Sequence, residues 1–61
     1  MQKTTLTIRT LVMTPSPKKI TLHTWHDLTR EQAADIAADF EGQNPHLQLE
    51  AVYIIEDTWH L

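Results

Sequence analysis

The chain has 61 residues, of which 41% are hydrophobic and 21% are charged, and its formal net charge is −3. This composition is typical of a folded protein, and we expect residues 1–61 to form one small domain with a marginal core. Cysteine is absent, which excludes disulfides, thiolate zinc ligands and a cysteine nucleophile. The negative net charge argues against a protein that binds nucleic acid directly.

Membrane association is not indicated by the sequence. No apolar run is long enough to cross a bilayer, and the N-terminus shows neither a long apolar stretch nor a small-residue cleavage site. We therefore expect a cytoplasmic protein with no membrane partner.

The first predicted strand runs from Lys3 to Met13, because Thr, Ile, Leu and Val dominate this segment. Its alternation places Leu6, Ile8 and Val12 on one face. The other face begins polar and becomes apolar at Leu11 and Met13. Two prolines make residues 14–17 a turn, and the second predicted strand follows over residues 19–25 as the other arm of an antiparallel hairpin. Within that strand, alternation places Ile20 and Leu22 on one face and His23 and Trp25 on the other.

A helix is predicted from Arg30 to Glu41. Thr29 and Gln32 have the spacing of a capping box, and the only glycine, Gly42, suits a left-handed position just past the helix end. Asn44-Pro45 then blocks helical continuation. The apolar spacing of one buried stripe is met by Ala33, Ile36, Ala37 and Phe40.

A third strand is predicted over residues 47–55, with Leu47, Leu49, Ala51, Tyr53 and Ile55 on one face and Val52 and Ile54 on the other. The order β-β-α-β makes the second and third strands parallel through a right-handed crossover. We predict an α+β fold, with a three-stranded mixed sheet, the first strand in the middle, and the helix on one face.

Charge is divided unevenly along the chain. Residues 1–30 hold all five basic residues and one acid, a net charge of +4, whereas residues 31–61 hold seven acids and no Lys or Arg, a net charge of −7. The two halves can pair within one sheet, because opposite charges across strands are mildly favourable. Alternatively, the acidic half presents a surface to a basic protein partner.

The sheet face that the helix does not cover has an apolar patch. Such a patch usually marks an interface, so we expect a homodimer formed through five residues of this face: Leu11, Met13, Trp25, Val52 and Ile54.

An acidic stripe follows the helix, because Glu31, Asp35 and Asp39 recur every fourth residue. The simplest interpretation is a solvated face. The alternative is a surface for a basic partner, including a protein that normally grips phosphates.

The tripeptide Thr-Trp-His occurs twice, at residues 24–26 and 58–60. Both copies follow predicted strands that run in parallel, so both should lie near one end of the sheet. A Trp offers a stacking surface and a His can act as acid, base or metal ligand, which makes Trp25, His26, Trp59 and His60 a possible ligand site. His23 and Asp27 could add metal ligands, but the spacing is not that of a structural zinc site, and we expect neither a metal nor another cofactor.

Catalysis is not indicated. The only serine, Ser16, lies in a proline-flanked turn, and one glycine cannot form a phosphate-binding loop. The acids of the helix project into water without a pocket. We therefore expect a non-enzymatic protein.

The segment from Lys19 to Tyr53 resembles the opening of extracellular solute-binding proteins of the sugar-transport type. That family opens with a strand ending in Trp, a helix, Phe-Glu, Asn-Pro and a second strand. The matching residues here are Ile20, Leu22, Trp25, His26, Ala34, Phe40, Glu41, Asn44, Pro45, Leu47 and Val52. The resemblance implies a strand–helix–strand crossover unit and a ligand near Trp25 and His26, whereas the rest of a two-lobed receptor has no counterpart, so transport function is not carried over.

Three hypotheses for function follow. The first is a non-enzymatic, self-associating protein-interaction module. The second is a small acidic inhibitor or regulator, of the kind carried by mobile elements, that occupies a basic nucleic-acid-binding site on a partner enzyme. The third is a ligand or metal site at the Trp/His end of the sheet.

Overall fold

Three strands and one helix make up the fold in the computed structural model, which describes residues 2–57. The elements are β1 (Gln2–Val12), β2 (Lys18–Leu28), α1 (Arg30–Gln43) and β3 (Leu49–Asp57). The predicted α+β class and β-β-α-β order are confirmed. Within residues 2–57, no helix combines the length and the apolar character that a membrane crossing requires.

The strands form one open sheet in the order β2-β1-β3, so the predicted central position of the first strand is confirmed. Both ladders are antiparallel. The outer strands therefore run in the same direction, as expected, but β1 separates them. Because no parallel ladder forms among these strands, the sheet is antiparallel, which corrects the expectation of a mixed sheet.

The two ladders differ in regularity. From Gln2↔Asp57 to Thr10↔Leu49, β1 and β3 pair without a shift of register. The ladder of β1 and β2 shifts twice, once between Thr4 and Leu6 and once between Ile8 and Arg9. At the first shift Asp27 adopts a positive φ of 59°, a left-handed conformation that Asp tolerates better than most side chains. These shifts are β-bulges, in which β2 accommodates extra residues.

The predicted start of α1 is confirmed in detail. The Thr29 hydroxyl accepts a hydrogen bond from the Gln32 backbone N–H at 3.1 Å, and the Gln32 side-chain carbonyl accepts one from the Thr29 N–H at 2.9 Å. Each side chain thus satisfies a backbone donor at the helix start that has no partner within the helix.

The end of α1 differs from the prediction. Gly42 lies inside the helix and does not have a positive φ. Asn44 ends the helix instead: its side-chain amide donates to the Phe40 carbonyl at 2.9 Å, and its backbone N–H donates to the Glu41 carbonyl at 3.3 Å. Pro45 follows at once and prevents further helical turns. The two hydrogen bonds satisfy the carbonyls of Phe40 and Glu41 without a glycine cap.

The core is small. Its buried apolar residues are Leu6 and Ile8 from β1 and Ala33 and Ala37 from α1. Partly buried residues pack around them: Trp25, Leu28, Ile36, Phe40, Leu49 and Ala51. The described chain measures 50 × 23 × 11 Å, so it is long and thin. The 14-residue helix, about 21 Å long, covers only the middle of one sheet face.

Candidate interaction surfaces

The sheet face without the helix is called the open face. On β1 this face carries the residues that lie between the buried ones along the strand. Cross-strand partners share a face, so the register places Thr24 and Val52 beside Thr7, and Glu50 beside Arg9. The Thr7 and Thr24 hydroxyls lie 3.3 Å apart. The other residues on this face are Lys3, Thr5, Leu11, Lys19, Thr21, Ile54 and Glu56.

Three of the five predicted interface residues lie on the open face. Ile54 is 51% exposed, and Leu11 and Val52 are half-buried. Met13 is 60% exposed but follows the end of β1. The open face is therefore an apolar strip among threonines and charges, less apolar than the sequence indicated.

The predicted position of Trp25 is wrong, because this residue does not lie on the open face. It pairs with Leu6 across the ladder, and its ring meets the edge of Phe40 at a centroid distance of 5.9 Å. His23 lies against the same indole, with centroids 4.4 Å apart and ring planes tilted by 55°. Both side chains thus belong to the helix side of the sheet, where Trp25 extends the core.

An ion pair crosses the open face and joins the two outer strands. The Lys19 ammonium of β2 lies 2.8 Å from a carboxylate oxygen of Glu50 on β3. Hydrogen bonding from Lys19 holds the pKa of Glu50 below its usual value; desolvation opposes this shift, and the charges of Lys19 and Arg9 reinforce it. This pair confirms that part of the charge asymmetry is resolved within the chain.

A groove lies on the helix side, between α1 and the part of the sheet where β3 pairs with β1. Its volume is about 370 Å³, and its lining residues are Thr4, Arg30, Ala34, Tyr53 and Ile55. Tyr53 and Ile55 are 47% and 46% exposed. The Thr4 hydroxyl is buried and has no hydrogen-bond partner among residues 2–57. Sequence reasoning missed this groove. The apolar run of residues 53–55, in a strand that was predicted to flank the sheet, was the available signal.

The acidic stripe of α1 is exposed along its whole length, since Glu31, Asp35 and Asp39 all face solvent. The Asp39 carboxylate accepts a hydrogen bond from the Gln43 side-chain amide at 3.1 Å. No basic residue occupies the last turn of the helix. Among residues 2–57 no Lys or Arg forms an ion pair with these three acids, so the stripe presents negative charge on the outer side of the helix.

Only two residues of the predicted Trp/His ligand site, Trp25 and His26, lie among the described residues. Trp59 and His60 lie outside the described residues, and His26 is exposed beside the bulge at Asp27. Asp27 itself lies 3.7 Å from the Lys3 ammonium. Among residues 2–57, no three His, Asp or Glu side chains converge as a metal site would require.

No protein-family model, curated protein or solved structure matches this chain. The resemblance to solute-binding proteins therefore stays a prediction.

Proposed function

We propose that this protein is a non-enzymatic protein-interaction module that self-associates as a two-fold dimer through the open face. The observation that supports the proposal is that, among residues 2–57, no element packs on the second side of the sheet, since α1 covers only the other side. Leu11, Val52 and Ile54 supply the apolar strip. Residues 2–57 bury four apolar residues, and so small a core gains stability when a second copy covers that strip.

The size of the open face fits a weak dimer. Three strands spaced about 4.8 Å apart and about 30 Å long give roughly 450 Å² in projection, and side-chain relief adds to this. A face-to-face pair of such sheets lies at the small end of stable interfaces. We therefore expect a dissociation constant in the micromolar range.

The charge layout can be compared for two arrangements of the two copies. Lys19 lies on β2, whereas Glu50 and Glu56 lie on β3. A two-fold axis parallel to the strands stacks β2 of each copy over β3 of the other, which sets basic residues against acids. A two-fold axis across the strands stacks β3 on β3 and sets acids against acids. The parallel axis also stacks β1 on β1 and sets Arg9 against Arg9, so charge does not decide between the two axes.

Sedimentation equilibrium over a range of protein concentrations tests the dimer. The unchanged chain should shift from monomer to dimer across the micromolar range, and Ile54→Lys should remain monomeric. Ile55→Lys is the matched control, because the neighbouring residue has similar exposure but lies on the helix side. A chain that stays monomeric at millimolar concentration, or equal loss of the dimer in both variants, contradicts the proposal.

The acidic stripe favours a second candidate, a regulator that occupies a basic site on a partner protein. The exposure of Glu31, Asp35 and Asp39 to solvent supports it. Reversal of all three to Lys should lower the affinity for a basic partner by more than about tenfold and remove the salt dependence of binding. Reversal of Glu41, Glu56 and Asp57 is the charge-matched control, and an equal loss in both triple variants would reduce the effect to net charge.

A further inference from the structure

The backbone groups that point out of the sheet along β3 can be identified from one hydrogen bond. The Leu11 N–H donates to the Gln48 carbonyl at 3.3 Å, and this pair continues the register of Thr10 with Leu49. In an antiparallel ladder, hydrogen-bonded and non-hydrogen-bonded pairs alternate. Glu50, Val52 and Ile54 therefore bond to β1, whereas the N–H and C=O groups of Ala51, Tyr53 and Ile55 point to the free edge.

A contact between β1 and β2 supports this assignment of inward and outward backbone groups. Thr7 should direct its backbone groups to β3, which makes its pair with Thr24 a non-hydrogen-bonded pair of the β1–β2 ladder. Side chains approach most closely in such pairs, and the two hydroxyl oxygens lie 3.3 Å apart. The alternation is therefore consistent across the whole sheet.

The edge of β3 is built to accept another strand, whereas the edge of β2 is not. β3 is nine residues long and has no shift of register. Within residues 2–57 no strand pairs with its outer side. β2 carries two bulges, and bulges are a device by which edge strands avoid pairing.

We infer that the outer edge of β3 and the adjacent groove form a docking site for an extended, basic peptide segment of a partner protein, added as a fourth strand. The outward backbone groups of Ala51, Tyr53 and Ile55 would bond to the peptide backbone. The side chains of these three residues lie on the helix side, so an apolar side chain of the peptide would enter the groove against Tyr53 and Ile55.

The acidic residues of β3 favour a basic peptide over a second copy of the chain at this edge. β3 carries three acids and no Lys or Arg, and its terminal Glu56 and Asp57 form no ion pair among residues 2–57. A second copy that paired β3 with β3 antiparallel would set Glu50 against Glu56, which is unfavourable. A peptide with Lys at its ends instead meets opposite charge at the acidic end of the strand. The site is distinct from the open face, so it does not depend on the dimer.

Nuclear magnetic resonance of the full chain tests the inference. In the free chain, the amides of Ala51, Tyr53 and Ile55 should exchange quickly with solvent, while those of Val52 and Ile54 are protected. The probe is a synthetic seven-residue peptide of alternating Val and Thr with Lys at both ends. Its addition should shift and protect the three fast amides. The same peptide with Glu at both ends should bind about fivefold more weakly at low salt.

A matched pair of synthetic chains sharpens the test. N-methylation of Tyr53 removes an outward N–H donor from β3 and should abolish peptide binding without unfolding the sheet. N-methylation of Thr24 removes an outward N–H donor from the edge of β2 and should leave peptide binding unchanged. Three results would each overturn the inference: absence of binding, equal affinity for the two peptides, or protection of the three amides in the free chain at high concentration, which assigns the edge to a second copy. Ile54→Gln removes the apolar side chain without adding charge to β3; it should keep the peptide site while it weakens the dimer, so the two proposals fail separately.

Discussion

The two edge strands pair with the same central strand, yet they differ in the regularity of their pairing and in which of their residues are exposed. β2 is bulged twice, and its Trp25 reaches under the helix to Phe40. β3 is regular, and its Tyr53 and Ile55 stay half-exposed beside a groove. The helix packs on both edge strands, on Trp25 and Leu28 of β2 and on Leu49 and Ala51 of β3, but it leaves a different stretch of each exposed: residues 18–23 of β2 and residues 53–57 of β3. The difference shows that a single helix over a three-stranded sheet covers only part of each edge.

The largest expected effect contrasts the aromatic side chains on the two flanks. Phe40→Ala should lower the free energy of unfolding by about 2–3 kcal/mol, because it removes the contact between α1 and Trp25. Tyr53→Ala should cost less than about 1 kcal/mol, because half of this side chain is already in water. Urea denaturation followed by circular dichroism at one protein concentration measures both. Equal losses would show that both edges are packed alike.

The second prediction addresses the bulge of β2. Asp27→Val should cost about 1–2 kcal/mol, because a β-branched residue is strained at a φ of 59°. Asp27→Gly should be nearly neutral, since glycine adopts this conformation freely and the exposed ion pair with Lys3 is worth little. If Gly destabilises as much as Val, the Lys3 contact rather than the backbone conformation maintains the bulge.

The third prediction concerns the helix and tests the backbone conformation of Gly42. Gly42→Ala should raise the free energy of unfolding by about 0.5–1 kcal/mol, because Gly42 is helical and an added Cβ meets nothing within 4 Å. Thermal denaturation measures the gain. A loss of stability would mean that residue 42 needs the left-handed conformation that the sequence first indicated.

The smallest effect concerns the ion pair between the edge strands. The pKa of Glu50 is lowered in the folded chain, so its contribution is present above the ordinary glutamate pKa of about 4.3 and is lost as the pH falls through the lowered folded value. The unchanged chain should therefore lose its small advantage over Glu50→Gln on acidification below about pH 4. Melting temperatures of both chains between pH 3 and 7 provide the measurement, and a constant difference over this range would contradict the role of the pair.

The fold was largely predictable because its signals are local. Periodicity gave the elements, and the spacing of Thr29 and Gln32 gave the helix start. The position of Trp25 was not predictable, because alternation along β2 does not say which of its faces meets the helix, and two bulges interrupt the period. An error of one residue in the phase of a strand moves every side chain to the opposite face. The helix end was missed because Asn44 supplies by hydrogen bonds what Gly42 was expected to supply by conformation.

The candidate surfaces were harder to predict than the fold. The acidic stripe and the apolar strip of Val52 and Ile54 followed from spacing alone. The groove beside β3 did not, because it depends on where Arg30 and Ala34 lie relative to Tyr53, which only the tertiary packing determines. The outward direction of alternate backbone groups likewise depends on the phase of the ladder, for which the amino-acid sequence carries no signal.

The register of the first strand with the last has a consequence for protein engineering. Gln2 and Asp57 are cross-strand partners, so the two ends of the described chain enter and leave at one corner of the sheet, about 5 Å apart. A unit with this geometry can be spliced into a surface loop of a host protein without separating the host's two loop anchors. It can also be circularly permuted with a short linker across the same corner.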